Sequence, residues 1–173
     1  MKGIVRFVLA SAIAAQLPFA IAKASLAQSQ PSAFECRTDD GIHYTIALRS
    51  DGEVSDPVIV WTSVAFSDSG FPPARRCGDV TDRLNALLAD NDYSLDGLYL
   101  TQGRVNRQSV ICAVESTRLG CNNDNLLFTL SGDNARNPNN VLENLSGRVS
   151  GIEIQESGGK LYVDLDELVQ GLF

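Results

Sequence analysis

Four cysteines, and where they stand, constrain this chain most. Cys36, Cys77, Cys112 and Cys121 are the only ones in 173 residues, and all lie behind an N-terminal leader. Lys2 and Arg6 make a positive start, Phe7 to Ala22 is an apolar run softened by Gln16 and Pro18, and Ser25-Leu26-Ala27 puts small residues before a cleavage point after Ala27. This is the secretory signal-peptide pattern. The run falls short of the ~20 apolar residues a spanning helix needs, so residues 1–27 are expected to be removed. A lipid anchor would need Cys at the cleavage point, and the first is Cys36. An even cysteine count in an exported chain favours disulfides and an extracytoplasmic space: periplasm, lumen or cell surface. No pair has C-x-x-C spacing, which weakens thioredoxin-like and zinc readings. Loop length favours Cys36–Cys77 and Cys112–Cys121, for which chain entropy alone gives about 4 and about 2.7 kcal/mol. Cys36–Cys112 with Cys77–Cys121 stays open beside it.

Charge narrows the function classes. The formal net charge is −7, from 21 acidic and 14 basic side chains. Loss of residues 1–27 removes Lys2, Arg6 and Lys23 and no acid, leaving 11 basic against 21 acidic groups and a charge of −10. A nucleic-acid binder needs a basic face, so none is expected as partner. Residues 28–173 suffice for one hydrophobic core, and no second apolar run in them approaches a membrane span.

Patterning in residues 28–173 predicts a single α+β domain. Phe34 to Thr38 and the alternating His43 to Leu48 read as strands joined at Asp39-Asp40-Gly41. Val58 to Phe66 is apolar on both faces and reads as a buried central strand. Asp79 and Asp82 read as a capping pair opening a helix, whose stripe is Val80, Leu84, Leu87 and Leu88. Leu98 to Val105 and Ser109 to Glu115 form a hairpin around Asn106-Arg107-Gln108, and Leu126 to Leu130 adds a strand. Asn137-Pro138 opens a second helix with Val141, Leu142, Leu145 and Val149 inward. Leu161 to Val163 and a helical turn over 164–172 form a short extension from residue 150 onward. Strands joined by hairpins favour an antiparallel sheet, here of about five to six strands, with two amphipathic helices on one face.

Several segments together resemble the cyanobacterial circadian-oscillating protein family, which is named for a rhythmically expressed extrinsic membrane protein. They are Phe34-Glu35-Cys36, Pro57 to Ser63 with Phe66, Phe71-Pro72-Pro73, Arg76-Cys77, Val80 and Arg83. Gly103 to Asn106, Val110-Ile111-Cys112, Cys121, Leu126 to Leu130, Asn137-Pro138 and Leu142 continue the match over residues 33–147. The resemblance implies an exported protein of unknown biochemical activity, held peripherally at a membrane, and it implies no cofactor and no catalytic residue. Arg107 stands where the family usually has a turn glycine. A side chain there resists positive φ, so a different turn is expected.

Candidate chemistry is sparse. His43, the only histidine, lies near Asp39 and Asp40, so a His–carboxylate dyad can be drawn. No nucleophile motif stands beside it, and a surface strand histidine is the simpler reading. Asp90, Asp92, Ser94 and Asp96 alternate like the start of a calcium loop, but Leu95 and Thr101 occupy the positions where an EF-hand wants Gly and Glu. An irregular calcium site there is the alternative to a solvated turn. Trp61 could line a pocket, though its apolar strand favours a core role. Arg75-Arg76 could be a basic contact on an acidic protein, though a solvated pair before the helix is the simpler reading. Asn144-Leu145-Ser146 fits the glycosylation sequon but falls inside the second helix. The expectation is a non-enzymatic, disulfide-stapled binding protein without cofactor or metal, attached at a membrane through a membrane-associated protein. A calcium-dependent structural protein and a small hydrolase using His43 are the alternatives.

Overall fold

Hairpin chemistry builds the first layer. The computed structural model describes residues 30–150, 152 and 154–173, so the expected leader over residues 1–27 lies outside the described residues. β1 (Pro31–Asp39) and β2 (Ile42–Arg49) pair antiparallel through a two-residue turn. Asp40 and Gly41 sit there at φ 46° and 78°, the conformation whose twist matches that of the flanking strands. β3 (Ile59–Trp61) adds to β2, completing a three-stranded sheet in the order β1-β2-β3.

The second sheet has five antiparallel strands in the order β6-β5-β4-β8-β7. They are β4 (Tyr99–Val105), β5 (Gln108–Val114), β6 (Leu126–Thr129), β7 (Ile154–Ser157) and β8 (Lys160–Asp164). The fold is α+β and antiparallel, and its strands divide between two sheets. In the β4–β5 turn, Asn106 and Arg107 take φ 49° and 66°. The expectation that Arg107 would force another turn is therefore corrected: the ladder on both sides, from Tyr99↔Val114 to Val105↔Gln108, outweighs the modest cost of one left-handed arginine.

The helices are α1 (Pro73–Asp90), α2 (Gly132–Arg136), α3 (Pro138–Ser146) and α4 (Leu165–Gln170). α1 starts six residues before the expected Asp79, because Pro73 occupies its first turn, where proline's fixed φ suits a helix. Asp79 instead lies on the outer face, 3.6 Å from Arg75. Cys77, Val80, Thr81, Leu84 and Leu88 form the buried stripe, which packs on β1 and β2. α3 buries Leu142 against the five-stranded sheet. Asp164 caps α4 by accepting a hydrogen bond from the Glu167 amide at 3.0 Å.

One hydrophobic cluster joins the two sheets. Phe34, Ala47 and Trp61 from the smaller one meet Leu84 of α1, Leu100 and Ile111 of the larger one, and Leu142 of α3. The region from Val58 to Phe66 departs from expectation. Only Ile59–Trp61 is strand, and it forms an edge. Val58 and Trp61 turn inward, while Val60 and Val64 are 46% and 70% exposed. With β2 as its one neighbour, β3 has nothing to cover its outer side, so two-faced apolarity here marks a surface.

Two disulfides tie the layers, Cys36–Cys77 joining β1 to α1 and Cys112–Cys121 crossing nine residues of sequence. The second pins residues 115–125 over the outer face of the five-stranded sheet, where Cys112, Val114 and Tyr162 form their own cluster. A Cβ on Gly103 would lie 2.7 Å from Cys121 Sγ, so only glycine lets the loop approach this closely.

Candidate functional site

Most of the sequence candidates are built into structure rather than gathered into a site. His43 faces Thr38 across the hairpin, its Nδ1 2.7 Å from the Thr38 hydroxyl. Among the described residues, no ion pair joins it to Asp39 or Asp40. The Asp90–Asp96 segment closes on itself. The Asn91 side-chain amide donates to the carbonyls of Ser94 and Asp96 at 2.7 and 3.3 Å, and the Leu95 amide donates to Gln30 at 3.1 Å. Among the described residues, no three His, Cys, Asp or Glu side chains converge for a metal. Asn144, Leu145 and Ser146 lie within α3, and Ser146 is buried with its hydroxyl donating to the Leu142 carbonyl at 3.0 Å.

Trp61 and Arg76 meet in the gap between the sheets. β3 and β6 are both edge strands, and a cleft of about 350 Å³ lies between them, closed by α3. Its apolar floor includes Trp61, Phe128, Leu130, Val141 and Leu145, and its cations are Arg76 and Arg148. No acidic side chain lines it, in a chain that carries 21. The Trp61 and Phe128 rings pack edge to face with centroids 5.6 Å apart. Trp61 is held from behind, its indole N–H donating to the buried Thr45 hydroxyl at 3.1 Å.

The two arginines are placed differently. Arg148 donates to the Pro57 and Val58 carbonyls, fixing the chain just before β3 to the end of α3. Burial lowers its pKa and the nearby Asp56 carboxylate raises it in part. Arg76 donates to the Ser63 carbonyl and lies 5.4 Å from the Trp61 ring and 5.7 Å from Phe66, within cation–π range. Its Nε is buried and makes no hydrogen bond. No carboxylate pairs with it among the described residues. Burial lowers its pKa, with no acidic neighbour opposing. Guanidinium nonetheless stays charged, so Arg76 is a partly buried cation with no ion-pair partner among the described residues.

Arg76 also lines a second cleft of about 410 Å³ together with Phe66, Phe71, Arg83 and Phe128. Its one acid, Asp79, is the ion-pair partner of Arg75. Arg75-Arg76, read from sequence as solvated, therefore splits: Arg75 stays at the surface over Phe71, and Arg76 turns between the clefts. Phe128, Arg148 and Thr129 were not singled out from sequence. A signal was present, because Pro57 to Ser67 and Leu126 to Ser131 hold no acid in an otherwise acidic chain.

This arrangement can hold an anion beside an apolar group. Among the described residues, no helix is long and apolar enough to cross a membrane. No curated protein and no solved structure matches the chain. The family model described as Circadian oscillating protein COP23 matches residues 33–170, which takes in both disulfides, both clefts and Arg76, and the chain belongs to that family.

Proposed function

We propose that this protein is a non-catalytic binding module of an extracytoplasmic space, held at a membrane by a protein partner that docks on the face around Arg76. The observation that carries this reading is the acid-free, arginine- and aromatic-lined gap between β3 and β6. Tryptophan and arginine are the residue types that dominate binding hot spots. Two disulfides among the described residues suit an oxidising compartment. A mature charge of −10 is repelled by anionic lipid, which favours a protein anchor over the bilayer itself.

Rebinding to membranes stripped of the protein tests this. Purified protein should return to native membranes, and protease treatment of those membranes should abolish its return. Equal binding to protein-free vesicles of the same lipids would overturn the reading.

A further inference from the structure

We infer that the partner contributes an extended acidic peptide, with a carboxylate at Arg76 and apolar side chains in the cleft on either side. This rests on the binding-module reading and adds the chemistry of the docking segment. The two clefts share Arg76, Phe128 and Thr129, so they lie side by side as two arms of a groove with a cation where they meet. One arm presents Trp61 and Phe128, the other Phe66 and Phe71. Val60 and Phe71 are 46% and 41% exposed along it.

Charge selects the occupant. Arg76, Arg83 and Arg148 line the groove, and its single acid is paired with Arg75. The chain as a whole carries a net charge of −7, which opposes the approach of an acidic segment on average. An acid-free, arginine-lined groove on such a chain favours an acidic partner there, which is how charge provides specificity. Arg83 and Arg148 already donate to backbone carbonyls. Arg76 gives one bond to the Ser63 carbonyl and pairs with no carboxylate among the described residues, so the terminal nitrogens of its guanidinium can donate to an incoming carboxylate. The groove also runs beside two strand edges, β3 and β6, where an extended segment can meet unpaired backbone groups.

Selection from a display library of random dodecapeptides on the immobilised, disulfide-intact protein tests the inference. Retained peptides should be enriched in Asp or Glu flanked by apolar residues. Synthetic copies lacking tryptophan should change the fluorescence of Trp61, the only tryptophan, saturably. Replacing their acids by amides should weaken binding about tenfold or more. Arg76→Gln should lose the acidic enrichment and Arg76→Lys should keep part of it. Val60→Glu adds a carboxylate at an exposed groove position without touching the core, and it should lose binding even where an Arg76 variant fails to fold. Selected peptides without acidic enrichment, an unchanged selection on Arg76→Gln and Val60→Glu, or no Trp61 response would overturn the inference. If those substitutions abolished protease-sensitive membrane rebinding while the selected peptides showed no acidic enrichment, the acidic-peptide inference would fall and the binding-module reading would stand. Rebinding to lipid alone would remove the reading itself.

Discussion

The outer face of the five-stranded sheet and the gap between β6 and β3 both place apolar side chains at the boundary of a sheet, and the chain treats them oppositely. On the outer face, Cys112–Cys121 draws residues 115–125 over Val114 and Tyr162. The Tyr162 hydroxyl then donates to the Leu119 carbonyl at 3.2 Å, and Gly103 gives up its side chain for the contact. In the gap, Trp61 and Phe128 meet edge to face, Val60 stays exposed, and an unpaired arginine sits between two clefts. The difference separates apolar surface that a stapled loop covers from apolar surface that stays open.

That contrast can be broken by substitution. The largest effect should come from replacing Cys112 and Cys121 together by serine. Releasing the loop they close should cost about 2.7 kcal/mol, seen as a lower urea midpoint, and should open residues 115–125 to protease. A loss under about 0.5 kcal/mol would mean the loop holds its place by packing alone.

Gly103→Ala ranks next. Its added methyl meets the Cys121 side chain, at 2.7 Å from Sγ and 2.8 Å from Cβ. The loop must shift, at about 1–3 kcal/mol. The same substitution in the chain lacking both cysteines should cost less, because the loop can then move away. Equal costs in the two backgrounds would show that the strain lies in the strand.

Arg76→Gln should have the smallest effect on stability, within about 1 kcal/mol, because the bond to Ser63 is lost together with the burden of an unpaired, half-buried cation. A loss as large as that at the disulfide would make Arg76 a structural staple and erase the contrast between the two regions.

Much of this was legible in local pattern. The Asp40-Gly41 turn, the α1 stripe of Val80, Leu84 and Leu88, the two-faced apolar run of Val110 to Val114 and the Pro138 helix start each follow from rules acting over a few residues. Arg107 shows the limit of such rules. Its left-handed conformation is disfavoured locally and imposed by the ladder on both sides. Val58 to Phe66 shows another. Alternation reports that side chains are apolar and does not report whether a neighbouring strand covers them.

By itself, then, the sequence determined the α+β class, the apolar stripes of α1 and α3 and the β1–β2 and β4–β5 hairpins, because those depend on periodicity and on residue types. The tertiary structure alone decided that the strands divide into two sheets, that Cys36 meets Cys77 and Cys112 meets Cys121 rather than the crossed alternative, and that edges β3 and β6 face each other. It also decided that Arg76 comes to lie beside Phe128, 52 residues further along the chain. Such pairings join residues far apart in the chain, and their geometry is set by how the layers pack around one core rather than by any stretch that can be read in isolation.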